Sequence, residues 1–284
     1  MTDLHSLKIA REPALRTVLI CHADALLDLE GLSLWLGSFS ELTGLIVLQG
    51  TNRQAWGRIR REMRRVGLLR FLDVLAFRAY YKLVLERGDR QWEIRRLAEM
   101  REQYPPLSKR TPIVYARSPN SPEVQAFLRV AAPDLMIARC KMLLKPEVFG
   151  IPRLGTFVMH PGVCPEYRNA HGCFWALARN DLKNVGMTLL KIDAGVDTGP
   201  VFGDIRSPFD EQNDSHIVIQ QRMVFDNLED LQDLLLDVSE GRARVLSTAG
   251  RPSQVWGHPW LTEYFKWRVA AWQRRRNADC AHLS

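Results

Sequence analysis

The stretch "GTFVMHPGVCPEYRNAHG", residues 155–172, contains His160 directly before a Pro-Gly turn. Apolar residues lead up to this histidine through Phe157 and Met159, and a loop rich in hydrogen-bonding side chains follows it. The pattern predicts that a buried strand ends at His160. In an open α/β sheet, ligands bind beyond the carboxyl ends of the strands, so a binding site is expected at this histidine.

Strand patterns and helix patterns alternate on both sides of this stretch. The predicted strands are, in chain order, "RTVLIC", "LTGLIVLQG", "TPIVYA", "DLMIARC", "GTFVMH" and "VGMTLLKID". A helix is predicted over 25–38, and another after "TPIVYA", with Asn120 or Ser121 as its cap and Pro122 near its first position. This alternation predicts an α/β protein with a mostly parallel, Rossmann-like sheet flanked by helices.

Motifs of the common nucleotide-binding α/β proteins are absent from the sequence. The first strand is followed by "CHADALLDLEG", which has no GxGxxG, and the chain has no GxxxxGK[ST]. The usual dinucleotide fingerprint and the P-loop are therefore excluded.

Composition and cysteine usage limit the class of protein. The chain has 284 residues, of which 46% are hydrophobic and 25% charged, as in soluble globular proteins. No secretory signal and no run of ~18 apolar residues is present, which predicts a cytoplasmic protein without a membrane span. The five cysteines are an odd number without a CxxC motif. They are expected to be reduced thiols, and neither a disulfide framework nor a metal site is expected.

The net charge of +7 is concentrated in one segment. Residues 52–87 contain ten basic and three acidic residues, and their apolar positions recur mostly every three or four residues. This predicts a basic amphipathic helix, bent or interrupted at Gly67. Its basic face is either merely solvated or contacts an anionic membrane, a nucleic acid, a phosphorylated ligand or a protein partner.

The C-terminal third has helical patterns. "DSHIVIQQRMVFDNLEDLQDLLLDVSEG" predicts one long helix or two, capped at Asp214 or Ser215 and closed at Gly241. A Trp-rich amphipathic segment, 256–276, follows and ends in three arginines. It can pack against the basic segment 53–87 and form one positive face with it.

Residues 133–200 contain an ordered set of motifs. They are Pro-Asp before a strand, "LLKPEVF", "PRLGTF", the histidine with its Pro-Gly, "PEYR", "FWA", "VGMTL" and "DTGP". The set resembles the catalytic half of the folate-dependent formyltransferase family, which includes methionyl-tRNA formyltransferase, glycinamide ribonucleotide transformylase and the sugar N-formyltransferases. The resemblance implies a formyltransferase-like α/β domain over residues 1–210, with a basic helical insertion at 53–110 and a helical C-terminal extension at 211–284.

The resemblance also implies roles for individual residues. Members of this family move a formyl group from 10-formyltetrahydrofolate to an amine, and His160 and Asp197 stand at their catalytic histidine and aspartate. A nearby imidazole stabilises the charge that develops on the formyl oxygen or relays a proton. The residues implied to hold the pterin of the formyl donor are Met142, Leu143, Leu144, Gly195 and Val196. Those implied to contact the acceptor are Tyr167 and Arg168.

One position departs from the family pattern. Val158 stands where the family has an asparagine, two residues before His160. Valine donates no hydrogen bond, and removal of one oxyanion donor costs ~100- to 1,000-fold in rate. Four other side chains are candidates to replace that donor: Asn169, His171, Tyr167 and His22. We expect one of the "YRNAH" side chains to do so.

The expected function is therefore an N-formyltransferase acting on a small amine, such as an amino sugar, a nucleotide-linked sugar or a modified amino acid. A phosphorylated acceptor fits the basic segments, whereas tRNA is not expected, because the C-terminal segment is too short and too helical for a tRNA-binding barrel. The alternative is a protein of the same fold without transfer activity, which serves as a binding or scaffold protein or as a hydrolase of formyl groups. The oligomeric state is left open.

Overall fold

The computed structural model describes residues 15–50 and 62–281, and the part of the predicted basic helix that falls on residues 52–61 lies outside them. The strands of one sheet are β1 Arg16–His22, β2 Glu41–Leu48, β3 Ile113–Ala116, β4 Leu135–Arg139, β5 Gly155–His160, β7 Met187–Lys191 and β8 Val201–Ile205. Their spatial order is β3-β2-β1-β4-β5-β7-β8. A second small sheet pairs β6 Arg168–Asn169 with β9 Val255–Trp256.

Strands β1 to β5 pair in parallel, and β7 pairs antiparallel with both β5 and β8. The central strand β1 is buried on both faces: Val18, Leu19 and Ile20 have no exposed surface. Parallel strands covered on both faces have such continuous apolar runs. The predicted α/β fold with a mostly parallel sheet is confirmed. Strand β8 was missed because Gly203 and Asp204 interrupt its apolar residues.

The described helices cover both faces of this sheet. They are α1 Leu32–Phe39, α2 Leu68–Tyr80, α3 Glu86–Gln103, α4 Pro122–Ala131, α5 Pro146–Phe149, α6 Gly172–Ala178, α7 His216–Phe225, α8 Leu228–Ser239 and α9 Leu261–Ala281. A π-helical turn, Leu27–Gly31, precedes α1, and another, Tyr81–Leu85, joins α2 to α3. None of these helices is long and apolar enough to cross a bilayer.

Serine side chains cap two of the predicted helices. Ser121 accepts a hydrogen bond from Val124 N at the start of α4, and Ser215 accepts from Ile217 N and Val218 N at the start of α7. Each serine satisfies backbone donors that have no partner within the helix. The interruption predicted at Gly67 is also found: its φ is +80°, and α2 begins at the next residue.

Two apolar clusters flank the sheet. On one face Val18, Ile20 and Met136 pack with α4. On the other face Phe157 belongs to a larger cluster that includes residues of α1, α6, α7, α8 and α9, among them Trp267. The C-terminal helices thus share a core with the sheet. The division of the chain at residue 210 and the insertion at 53–110 stay predictions.

Candidate active site

Three neighbouring strands end at the same edge of the sheet. His22 ends β1, Arg139 ends β4 and His160 ends β5. Strand β1 lies between β2 and β4, so successive strands extend from it in opposite directions. In open α/β sheets the ligand crevice lies at such a reversal of strand order, at the carboxyl ends of the strands. The structure therefore places His160 beside that crevice.

His160 is held between a carbonyl and a carboxylate. The side chain is 4% exposed. Its Nε2 lies 2.8 Å from Tyr167 O, and its Nδ1 lies 3.6 Å from Asp197 Oδ2. A carbonyl oxygen only accepts hydrogen bonds, so Nε2 carries a hydrogen and donates it. In the neutral ring Nδ1 is then the basic nitrogen, and it faces the carboxylate.

Asp197 faces this ring and does not close its own loop. Its Oδ2 accepts a hydrogen bond of 2.7 Å from Asn169 N. The turn that contains it is closed by Asp193, whose Oδ1 accepts from Gly195 N and from Thr198 Oγ1. The local turn-forming role that an Asp-Thr-Gly sequence commonly has is thus filled by another aspartate. Asp197 itself holds a φ of +50°, which places its carboxylate between two chain segments.

The loop after His160 packs closely against the start of α6. A Cβ added at Gly162 would lie 2.8 Å from Gly172 Cα and 3.0 Å from His160 Nε2. A Cβ at Gly172 would lie 2.6 Å from Gly162 Cα. Only glycine fits at both positions without displacing backbone. This contact brings His171, the residue before α6, close to the catalytic histidine candidate.

Hydrogen bonds distinguish the four candidate donors. Tyr167 donates its hydroxyl to Asp181 Oδ2 at 2.8 Å, and Asn169 donates its side-chain amide to Trp256 O. His22 accepts through Nε2 from Lys141 N at 3.1 Å. His171 Nδ1 is buried, and it has no hydrogen-bond partner within the described residues. Of the four, His171 has a ring nitrogen left for a ligand.

Arg168, predicted to contact the acceptor, reaches the loop of the candidate aspartate. Its Nη1 donates to Val196 O at 3.1 Å, while its Nε is buried and has no partner within the described residues. Tyr167, the second acceptor candidate, is 5% exposed, and its ring stacks on Trp256 with the centroids 5.7 Å apart. Both residues contact segments next to the candidate site, and their contact with an acceptor stays a prediction.

The three residues of the turn that was predicted to hold the pterin differ in their exposure to solvent. Met142 and Leu144 are half-buried and pack, together with Val158 and Ile192, against the cluster on the α4 side of the sheet. Leu143 is 69% exposed. Asn120 braces this turn with two hydrogen bonds, because its Nδ2 donates to Leu143 O and its Oδ1 accepts from Lys145 N, at 2.9 and 2.7 Å. The sequence predicted Asn120 only as a helix cap.

A group of histidines and basic residues beside the site was missed. The His171 ring lies 6.1 Å from that of His216 and 5.7 Å from that of His258. Burial lowers the pKa of His171 well below its usual value, and the charges of nearby Lys141 and Arg78 lower this pKa further. Burial lowers the pKa of His216 to about 3. These histidines are therefore neutral near pH ~7.

These histidines could not be grouped from the sequence, because they lie in three different segments. His171 precedes α6, His216 begins α7 and His258 follows β9. The pairing of β6 with β9 brings the last of these segments to the site. The Trp-rich segment 256–276 was predicted only as amphipathic, and His258 within it was not singled out.

The buried pair of Arg139 and Asp28 also lies at this edge. Arg139 Nε donates to Asp28 Oδ1 at 3.0 Å, and its Nη1 donates to Met159 O at 2.8 Å. The arginine thus ties the end of β4 to β5 just before His160. Charge-assisted bonds of this kind fix backbone positions firmly.

The cysteines are free, and those near the site are poor nucleophiles. Burial raises the pKa of Cys173 to about 12 and raises that of Cys164 even further above its usual range. A cysteine reacts as the thiolate, which a raised pKa disfavours. Among the residues that the structure describes, no group of three His, Cys, Asp or Glu side chains could hold a metal ion.

The chain is similar to known proteins in sequence and in structure. A family described as formyl transferase matches residues 84–233, more than half of the chain. Among curated proteins, methionyl-tRNA formyltransferase from Dehalococcoides mccartyi is 38% identical over 87 residues, which is 30% of this chain and 28% of that protein. The enzyme of the same name from Microcystis aeruginosa is 38% identical over 76 residues, 26% of this chain and 23% of that protein. These matches thus span less than a third of the relatives' length.

Two solved structures share the fold over most of the chain. A sugar N-formyltransferase from a Shewanella species aligns with a TM-score of 0.51 at 12% identity, covering 90% of this chain and 87% of that one. A phosphoribosylglycinamide formyltransferase from Anaplasma phagocytophilum aligns with a TM-score of 0.52 at 12% identity, covering 85% and 98%. At this identity the likeness shows a common fold.

Proposed function

Because the chain belongs to the formyl transferase family, we propose that it transfers a formyl group from 10-formyltetrahydrofolate to the amine of a small acceptor. The family match confirms the resemblance predicted from the motifs of residues 133–200, and with it the enzyme class. The acceptor we propose is an amino sugar, a nucleotide-linked sugar or a modified amino acid.

One observation carries this proposal: the His160 ring is fixed between Tyr167 O and the Asp197 carboxylate. With Nε2 donating to the carbonyl, Nδ1 is free to accept a proton released by an attacking amine. The resulting imidazolium would face Asp197, whose negative charge stabilises it. The bond from Nε2 to Tyr167 O would thus orient the ring, Nδ1 would act as the base, and Asp197 would supply the counter-charge.

The residues at the crevice fit a folate-type formyl donor. When bound, such a donor supplies a formyl carbon for attack. Met142 and Leu144 offer a half-buried apolar wall that a flat pterin ring could cover, and Asn120 holds the turn that carries them. The loop with Gly195 and Val196 lies across from this wall in our proposal, tied in place by Arg168. These residues would bind and orient the donor and exclude water from it.

The basic residues beside His171 favour an acceptor with a negative charge. Arg78 and Lys141 have no ion-pair partner within the described residues, although both lie close enough to act on the pKa of His171. Unpaired cations beside a crevice attract anionic ligands. A phosphorylated or nucleotide-linked amine fits this charge. The described residues after 210 form helices α7 to α9 and the short strand β9, and these helices pack on the sheet.

Val158 favours the second candidate function, a protein of this fold that binds or hydrolyses formyl compounds without transferring the group. Its side chain is half-buried, packs against apolar residues and donates no hydrogen bond. Transfer then needs another donor for the formyl oxygen, for which His171 is the side chain available.

Titration calorimetry with a hydrolysis-resistant 10-formylfolate analogue, together with turnover of a panel of anionic amines, tests the proposal. We expect a dissociation constant on the order of micromolar for the wild type. Asp197→Asn should retain this affinity and lose ~100-fold or more in turnover, because the imidazolium loses its counter-charge. His160→Ala should lose turnover at least as far.

The matched control is Asp233→Asn, which changes an exposed aspartate on α8 in the same way. This variant should bind the analogue and turn over like the wild type. Absence of analogue binding, even at millimolar concentration, would contradict the formyl donor. Binding with release of formate and no amine product would support the hydrolase.

A further inference from the structure

Helix α2 has apolar side chains on a buried face and also on the exposed face beside it. The inner face is buried: Phe71, Val74 and Phe77 are at most 7% exposed. The outer face is also apolar, and it faces solvent. Its larger side chains, with their exposed fractions, are Leu68 65%, Leu72 54%, Leu75 40% and, in the following π-helical turn, Leu83 84%. Leu68, Leu72 and Leu75 are four and three residues apart, and Leu83 follows about two helical turns later. These side chains therefore form one stripe along the helix.

Helix α9 repeats this arrangement. Tyr264, Trp267 and Ala271 are buried against the core. The outward positions are Phe265, Val269 and Trp272, which are 47%, 53% and 51% exposed. They recur after four and three residues and form a second apolar stripe.

The two stripes adjoin. The ring of Tyr80, near the end of α2, lies 5.4 Å from the rings of both Tyr264 and Phe265. Thr262 N donates to Asp73 Oδ1 at 3.1 Å and joins the same two helices. The predicted packing of the two amphipathic segments is thus found for their described parts. We call the joined stripes of α2 and α9 the outer apolar surface. Monomeric soluble proteins seldom leave such contiguous apolar surface uncovered.

Basic side chains border the outer apolar surface. The exposed ones are Arg64, Lys82 and Arg87 beside α2, and Lys266, Arg275 and Arg276 on α9. The Arg276 guanidinium lies 4.7 Å from the centre of the Trp272 ring. The three acidic residues described on these two helices are already engaged: Asp73 with Thr262, the buried Glu263 with Lys266, and Asp279 with Arg275. The border therefore has an excess of positive charge.

We propose that the outer apolar surface docks onto an anionic lipid bilayer, with α2 and α9 lying in the plane of the interface. Leucine and aromatic side chains would enter the acyl boundary, while the bordering Lys and Arg side chains contact lipid phosphates. Charge complementarity selects this partner over a second copy of the chain, because self-association would bring two positive borders together. The proposal does not depend on the identity of the acceptor.

Vesicle co-sedimentation tests the apolar part of the proposal. The wild type should bind mixed vesicles that contain equal amounts of phosphatidylcholine and phosphatidylglycerol. It should bind vesicles of pure phosphatidylcholine at least ~10-fold more weakly. Leu72→Asp with Leu83→Asp should reduce binding to the mixed vesicles by ~10-fold or more. Val130→Asp is the matched control, since Val130 is 85% exposed on α4, away from both helices. It should bind like the wild type.

The basic border is tested by charge reversal. Lys82→Glu with Arg87→Glu should reduce binding by ~10-fold or more, and the same change at exposed Lys109 and Arg110 should have little effect. Added salt should weaken binding of the wild type. Thermal unfolding of each variant checks that it is folded.

Two results would overturn the proposal. One is that the wild type does not bind mixed vesicles, or that all four variants bind them as strongly as the wild type does. The other is a dimer, measured by light scattering, that Leu72→Asp with Leu83→Asp dissociates while the wild type does not bind vesicles. That second result would assign the outer apolar surface to a second copy of the chain.

Discussion

Three residues of the candidate site hold left-handed backbone conformations: Asn169, His171 and Asp197, with φ of +78°, +55° and +50°. Such conformations cost about 1–3 kcal/mol each in residues other than glycine, and they persist only where the surroundings enforce them. Here they aim the Asp197 carboxylate at His160, and the close contact of Gly162 with Gly172 keeps the neighbouring His171 near the same site. The strain is therefore concentrated where the chemistry is proposed.

At the scale of single residues, we expect His171 to take over the role of the missing asparagine. His171→Ala should lower kcat with formyl donor and amine by ~100-fold or more, because the formyl oxygen loses its donor. Asn169→Ala should lower kcat much less, since its amide is already bound to Trp256 O. Steady-state kinetics of the two variants, with analogue affinity as a second readout, makes the comparison.

The control restores the family residue. Val158 and His160 are two positions apart on β5, so their side chains leave the same face of the sheet. Val158→Asn in the His171→Ala background should recover at least ~10-fold of the lost kcat. Equal kcat in His171→Ala and wild type would show that this histidine supplies no donor.

At the scale of elements, we expect the turn 141–145 to set the affinity for the formyl donor. Asn120→Ala removes both hydrogen bonds that hold this turn. The wall of Met142 and Leu144 should then be mobile, so analogue affinity should fall ~10-fold while kcat at saturation changes little. Titration calorimetry and kinetics measure the two effects.

A matched control for this element is Asn184→Ala, which removes a similar bond, Asn184 Nδ2 to Asp181 Oδ2 at 2.8 Å, from another surface loop. Its analogue affinity should match that of the wild type. If Asn120→Ala also leaves the affinity unchanged, the turn does not form the wall of the donor site.

Elements were predictable where local chemistry determines them. Continuous apolar runs marked the buried parallel strands, and "GTFVMH" located the strand end that carries His160. Contacts between distant segments were not predictable. The pairing of Arg168–Asn169 with Val255–Trp256 joins residues more than eighty positions apart, and each strand has only two residues. No periodicity can appear in so short a strand, and the position of His258 could therefore not be deduced.

At the scale of the whole molecule, contacts between distant segments were again not predictable from the sequence. The C-terminal segment was predicted as a helical extension, and its helices are found; the structure adds that α7, α8 and α9 share the core that holds Phe157. Sequence periodicity gives the buried face of each helix but not the surface that this face covers. Similarly, the apolar pattern of α2 predicted one buried face, and the structure was needed to show that Leu68, Leu72 and Leu75 remain exposed.

At the scale of the whole molecule we expect stability to fall in mild acid because buried neutral histidines link folding to pH. The pKa of His216 is lowered by burial to about 3, and those of His171 and His258 are lowered in the same direction. Between the unfolded pKa of ~6.5 and the lowered folded pKa, the unfolded chain binds a proton that the folded chain does not. Stability is thus fully present above pH ~6.5 and is lost progressively as the pH falls toward 3.

His216→Leu isolates one part of this linkage. His216 Nδ1 has no partner within the described residues, and the ring lies among Phe77, Phe174 and Tyr81. The wild type should lose about 2 kcal/mol more unfolding free energy than the variant between pH ~7 and pH ~5. Denaturant unfolding at both values measures this difference, and other shifted groups such as Asp89 cancel because both proteins contain them. Equal losses in the two proteins would mean that His216 is protonated in the folded state or reaches water, and the aromatic enclosure would then not desolvate it.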